Sequence, residues 1–304
     1  MIKVNITQTI EGKFKALVLS IFQDGWLSKK ENKKEIFKIT LSDIDKLLKK
    51  RFQGFDENIT FEKLLVADVD YLYQIKKHAD SNRYKTTFTK IEKEYFYTLY
   101  SRLKKAEYIE LLNISTCLYC NRNYVFNFNK SSKKEATAQL DHFFDKKSYP
   151  FLAVSLYNLI PCCATCNQRK STKQEDIIHP FQESFDKKAK FRLKIEDSKF
   201  YYDKNSIEIK LKADGKKAQN SIEVFNLNRL YKNHKDIALE LIQKQAMYND
   251  SYIDELLKKY EGTLFKNRED LQRLVSGGYI SDEEIGKRPL SKLIKDISTE
   301  LGLT

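Results

Sequence analysis

Apolar positions recur at helical spacing through most of the first 112 residues. Ile91, Tyr95, Leu99, Leu103 and Ala106 fall on one face behind Thr89-x-x-Glu92, a capping box in which the two side chains satisfy backbone N–H groups at a helix start. A helix through residue 106 is therefore expected there, and the region as a whole reads as mainly helical apart from a strand at the very start. Beyond residue 182 the period changes to two. Phe191, Leu193 and Ile195, then Phe200 to Tyr202, then Ile207, Ile209 and Leu211 alternate between turn-forming clusters, predicting a short antiparallel meander closed by Asp214-Gly215. Helical spacing then returns, with Ile237, Leu241, Tyr248, Tyr252 and Leu256 on one face of a long amphipathic segment and a last helix near 289–301. The pattern predicts an α+β chain in four parts: 1–112, 113–181, 182–216 and 217–304.

The 304 residues, 41% of them hydrophobic, are enough to bury at least one sizeable core, and 4 Pro and 9 Gly spread thinly leave no long linker. Lys and Arg number 55 against 42 Asp and Glu, a net charge of +13 with a pI near 9.2. A polyanionic partner suits that excess, because neutralising phosphates releases counterions. Tyr and Phe in the flanks recur at helical spacing and so read as core rather than as a base-stacking surface. The first residues lack a basic stretch followed by a long apolar one, and Ala16 to Phe22 is too short to span a bilayer, so a cytoplasmic protein without membrane attachment is expected.

All 5 cysteines lie between 117 and 166. In a reducing compartment such clustering indicates metal ligation rather than disulfides. Cys117-Leu-Tyr-Cys120 and Cys163-Ala-Thr-Cys166 are two Cys-x-x-Cys knuckles, each presenting two thiolates, and together they complete the tetrahedron of a closed, structural Zn²⁺ site. Cys162 is left over; it would replace Cys163 only after a backbone shift, and Cys163 is preferred because it keeps the usual knuckle spacing. Between the knuckles stands Asp141-His142, and Asn167-Gln-Arg-Lys170 follows the second one directly.

Cys117-x-x-Cys120, Leu140-Asp141-His142, Tyr157-Asn158-Leu159 and Cys163-x-x-Cys166-Asn167-x-x-Lys170 together resemble the HNH endonuclease family with its ββα-metal fold, in the subgroup framed by a structural zinc. The resemblance covers about residues 113–181. Longer features, His142-Phe-Phe-Asp-Lys-Lys-Ser-Tyr-Pro150, Asn226-Leu-Asn-Arg-Leu-Tyr231 and Arg288-Pro-Leu-Ser-Lys292, are similar to HNH proteins found beside ATPases in bacterial anti-phage systems of the Septu type. The resemblance implies a zinc-stapled ββα-metal core between helical flanks. It also implies a phosphodiester hydrolase, and the chemistry of the residues suits the roles it assigns. His142 is the general base, since imidazole titrates near neutrality. Asp141 and Asn167 offer hard oxygens to a catalytic Mg²⁺ or Mn²⁺. Asn158 orients the loop carrying His142 through backbone hydrogen bonds. Arg169 and Lys170 contact substrate phosphate.

Asn167 stands where the family often has His, and an amide is the weaker ligand. Regular strand residues alternate in direction, so Asp141 and His142 serve one phosphate only if the strand ends or distorts there. His179, before Pro180, is read either as an extra ligand or as a structural turn residue. Duplex DNA is the substrate the family implies; RNA, including tRNA, is the alternative, and a non-catalytic zinc-ribbon module that binds nucleic acid or protein is the reading from a different class. No Gly-x-x-x-x-Gly-Lys-Ser/Thr is present, so nucleotide sensing would fall to an ATPase partner docked on the flanks.

Overall fold

The computed structural model describes residues 3–32, 34–130, 133–173, 176–185 and 188–304. These are organised as α-helices with small two-stranded sheets, an α+β arrangement. The contacts divide the chain into two compact units: Val4–Asn113 with Asn127–Pro161, and Ile114–Phe126 with Cys162–Thr304. Residues 113–181 are therefore shared between the two.

In the first unit, the helix at Lys90–Arg102 starts at the expected capping box, with Thr89 and Glu92 each satisfying the other's backbone. It ends earlier than the apolar pattern suggests. The backbone turns extended at Leu103 and a second helix, Lys105–Leu112, begins, so that Leu103 and Ala106 are both buried without sharing one helix. Ile91, expected on the inner face, is 50% exposed, whereas Leu99 is buried as expected and Phe96 joins it. The expected opening strand is absent from residues 3–7. Strands occur at Trp26–Glu31 and Lys34–Thr40 as an antiparallel hairpin, with Leu27, Phe37 and Ile39 buried. The core gathers around aromatic rings: Phe52 meets Phe151 edge-on at 4.7 Å, and Phe88 stacks on Phe151 at 5.7 Å. Buried Tyr108 donates its hydroxyl to the carbonyls of Leu156 and Leu159 at 3.1 and 2.7 Å, tying residues 139–161 to the helices.

In the second unit, Ala189–Ile195 pairs antiparallel with Ile207–Ala213. The expected middle strand, Phe200 to Tyr202, is absent. Asp197 and Asp203 each accept from the N–H two residues on, at Lys199 and Asn205, both at 2.8 Å, and these side chain to backbone bonds favour 3₁₀ turns over a strand. The long helix expected over 237–256 is two helices, Lys235–Met247 and Asp250–Tyr260, because Asn249 caps the second by accepting from the Tyr252 N–H at 2.9 Å. The last helix, Ser291–Leu301, packs on the hairpin: Asp296 accepts from the Phe191 N–H at 2.8 Å, and Lys292 pairs with Asp296 at 2.7 Å, both side chains buried. No helix among the described residues is long and apolar enough to cross a membrane.

Candidate functional site

The first cysteine knuckle is a tight reversal. Thr116 bridges Tyr124, the Cys117 N–H donates to the Asn123 carbonyl at 2.9 Å, and the Asn121 N–H donates to the Cys117 carbonyl at 2.9 Å. The chain closes because Asn121 adopts φ 51°, the left-handed conformation that Asn tolerates better than other residues with a side chain. The second pair opens the Ala164–Lys170 helix, with Cys163 at its N-cap and Cys166 in its first turn. The sulfurs of Cys117, Cys120, Cys163 and Cys166 all lie within 4.8 Å of one another and all four residues are buried. A tetrahedron with Zn–S bonds of about 2.3 Å has edges near 3.8 Å, so this donor set fits one zinc ion. Cys120 and Cys163, for example, stand 3.9 Å apart. Cys162 is buried but belongs to no such group, which places the ligand register at Cys163.

Electrostatics within the cluster favour a cation. Hydrogen bonds from Cys117, Cys120 and Cys166 push the Cys163 thiol far down, while the Cys166 thiol is pushed far up by the same crowding from Cys117, Cys120 and Cys163. Four sulfurs packed this closely crowd negative charge together as they deprotonate, and a divalent ion balances it. The Arg122 N–H donates to the Cys120 sulfur at 3.4 Å, a neutral donor that further supports thiolate.

The two motifs of the C-terminal flank serve this knuckle. The Asn121 amide donates to the Thr116 hydroxyl at 3.1 Å and the Ile285 carbonyl at 3.0 Å, and accepts from the Lys292 N–H at 2.9 Å. Its own carbonyl takes the Leu290 N–H at 2.6 Å. Arg288-Pro-Leu-Ser-Lys292 therefore supplies the backbone cradle for the knuckle. Tyr231, ending Asn226-Leu-Asn-Arg-Leu-Tyr231, donates its hydroxyl to the Cys120 carbonyl at 2.5 Å, and Phe225 stacks on Tyr119 at 4.3 Å. The sequence singled out both motifs but not this purpose, since the partners lie more than 100 residues away along the chain.

In the other unit, the strand Gln139–His142 pairs with Leu159–Cys162 and ends at His142. Asp141 is 3% exposed and His142 9%. The His142 Nε2 lies 3.0 Å from the Ala153 carbonyl oxygen. A carbonyl only accepts, so Nε2 carries the hydrogen, and in the neutral ring Nδ1 is left as the basic nitrogen. Tyr100 packs edge-on against the imidazole at 4.5 Å. Asn158 is fully buried: its Oδ1 accepts from the Phe144 N–H at 2.7 Å, while its Nδ2 donates to the carbonyls of Phe144 at 3.1 Å and Leu152 at 2.9 Å. The Asn158 carbonyl also takes the Phe143 N–H at 2.9 Å. One asparagine thus clasps both sides of the loop that follows His142.

The remaining candidates fall in the unit that contains the cysteines. Asn167 and Arg169 are half-buried on the Ala164–Lys170 helix, whereas Lys170 is 2% exposed. His179 is buried, its Nδ1 accepting from the Phe181 N–H at 3.3 Å and its carbonyl from the N–H groups of Gln182 and Glu183 at 2.9 Å, the pattern of a turn residue.

No family profile matches the chain, and no solved structure matches it. Among characterised proteins it is similar to the Septu protein PtuB of Bacillus thuringiensis, at 35% identity over 79 residues, which is 25% of this chain and 28% of that protein. The match therefore spans well under two thirds of that relative's length.

Proposed function

We propose that the chain is a metal-dependent HNH endonuclease hydrolysing phosphodiester bonds, with DNA as its substrate, and that it acts as the nuclease of an anti-phage defence system together with an ATPase. The orientation of His142 carries this reading. A histidine at a strand end, its Nε2–H committed to a carbonyl and its loop held by a buried asparagine, presents Nδ1 as a base with a defined direction. The cysteine cluster supports it, as a structural zinc would hold the two ends of the 42-residue intervening segment. The similarity to a Septu protein supports the defence role.

In the proposed mechanism His142 Nδ1 takes a proton from the attacking water. Asp141 and Asn167 are the proposed ligands of Mg²⁺ or Mn²⁺, which when bound stabilises charge on the phosphorus oxygens and the leaving oxygen. Asp141 is a carboxylate and Asn167 an amide, hard oxygen donors suited to such ions. Arg169 is the proposed phosphate contact. Buried Lys170 meets phosphate only if its surroundings open. Asn158 keeps the histidine loop in place and takes no part in bond making.

The test is to incubate the zinc-loaded chain, alone and with a co-expressed candidate ATPase, with duplex DNA and tRNA in the presence and absence of Mg²⁺ or Mn²⁺. Cleavage that needs the added ion supports the reading, and sequencing the product ends identifies the polymer. A chain that binds both polymers, retains zinc and cuts neither under any of these conditions is a zinc-ribbon binding module instead.

A further inference from the structure

Two lysines beside His142 have no part in the mechanism above. The amines of Lys105 and Lys146 lie 4.8 and 4.4 Å from the centre of the Tyr100 ring, the same ring that packs against the imidazole. Lys146 is held from its backbone as well, where its carbonyl accepts from the Tyr97 hydroxyl at 3.3 Å. Tyr97 and Tyr100 both come from the Lys90–Arg102 helix, so the N-terminal flank fixes the position of this pair.

Two ammonium groups sharing one ring repel each other. Burial first, and then the charge of Lys105, hold the Lys146 amine below the usual lysine range. Among the described residues neither amine forms an ion pair. The carboxylate next in sequence, Asp145, accepts from the N–H and hydroxyl of Ser148, both at 3.0 Å. Cation–π contacts hold the charges in place but do not neutralise them. Positive charge concentrated in this way, next to a directed histidine, suits an external anion.

We propose that Lys105 and Lys146, carried on the ring of Tyr100, bind the sugar–phosphate backbone flanking the scissile bond and so place the strand against His142. The proposal rests on the nuclease reading. It makes Tyr100 a positioning residue and gives the N-terminal flank a share in substrate binding.

The test uses the 304-residue chain in the His142→Ala background, measuring affinity for a 20-base-pair duplex and for single-stranded RNA of equal length across a salt series. Every phosphate that a lysine neutralises adds roughly 0.9 to the steepness of log affinity against log salt on duplex DNA, and roughly 0.7 on single strands. Lys105→Gln with Lys146→Gln should therefore flatten the duplex slope by roughly 2, each single variant by roughly 1, and Lys→Arg at both positions should restore it. In the active protein the double variant should raise KM with kcat nearly unchanged. Tyr100→Leu should reproduce much of the fall in affinity, and Tyr100→Phe should not. A flatter slope on either polymer supports the site and names the polymer. If the double variant fails to fold, Lys105→Gln reads the same effect at half the size from an exposed position. Unchanged slopes and KM while the parent chain still cleaves overturn the lysine site alone. Lysine variants with flattened slopes, in a protein that binds nucleic acid but cuts neither polymer, leave the site standing and remove the nuclease reading.

Discussion

Replacing Asn158 tests how the histidine loop is held, and two substitutions separate packing from hydrogen bonding. Alanine removes three buried hydrogen bonds at once, to the Phe144 N–H, the Phe144 carbonyl and the Leu152 carbonyl. Each bond is worth about 1 kcal/mol net, and each buried group left without a partner costs about 1–3 kcal/mol. The Phe144 N–H and carbonyl are left without that partner while the Leu152 carbonyl keeps the Ser155 N–H at 3.2 Å, so a local destabilisation of about 3–7 kcal/mol follows, a large part of a typical total of about 5–15 kcal/mol. Aspartate keeps the shape and the acceptor for the Phe144 N–H, but its second oxygen then faces two carbonyl oxygens in place of Nδ2. The folded state must protonate it, so its folded pKa rises above the unfolded value of about 3.9. Between those two pKa values the native state binds the extra proton, so stability is retained below about pH 4 and falls by about 1.4 kcal/mol per unit as pH rises. Hydrogen exchange across residues 143–158 is the assay, with zinc content measured in parallel as a check on the cysteine knuckles. Asn158→Ala should exchange fast at pH 5 and pH 7, and Asn158→Asp should be much closer to wild type at pH 5 than at pH 7. Wild-type protection of Phe143 and Phe144 in both variants at pH 7 would refute the reasoning.

Three further outcomes are expected from the same structure. Cys117→Ser or Cys166→Ser should lose zinc and solubility together, because metal binding in a closed site is folding energy, whereas Cys162→Ala should retain one zinc per chain by elemental analysis. Asn121→Ala should weaken zinc retention by about 10- to 100-fold in a chelator competition, since its amide ties the knuckle to residues 285–292. At Asp80, burial raises the carboxyl pKa, but hydrogen bonds from Lys76 and Tyr149 outweigh it and hold the value below the usual range. Its stabilisation is present above the unfolded pKa and disappears as pH falls through the lower folded one. Asp80→Asn should thus remove part of the stability that acid denaturation profiles show declining below about pH 4.

Local rules made some of this structure legible and long-range bonds hid the rest. The Thr89 capping box marks a helix start through contacts within one turn, and the alternation at 191–195 and 207–211 marks the two strands that form. Helix ends were harder to read because tertiary burial decides them: Leu103 leaves the helical path to reach the core, and Asn249 caps a new helix inside an unbroken apolar stripe. The hairpin over 26–40 was missed because Trp26 and Ile36 stand on its exposed face beside the lysines, so the apolar residues do not alternate cleanly although only Leu27, Phe37 and Ile39 are buried. Cysteine spacing disclosed the four-sulfur cluster and its register, because a knuckle is local geometry. The carbonyl facing His142, the cradle around Asn121 and the lysine pair on Tyr100 depend on residues brought together only by folding. No spacing rule announces them.

The most direct measurement of the central claim is single-turnover cleavage by His142→Ala beside the wild type, both with verified zinc content and equal nucleic-acid affinity. Removing the general base predicts a rate about 10²- to 10⁴-fold lower. Added Mn²⁺ should not restore it, although the same ion should partly rescue Asp141→Ala and Asn167→Ala. Cleavage by His142→Ala at the wild-type rate would contradict the assignment of His142 and, with it, the nuclease mechanism.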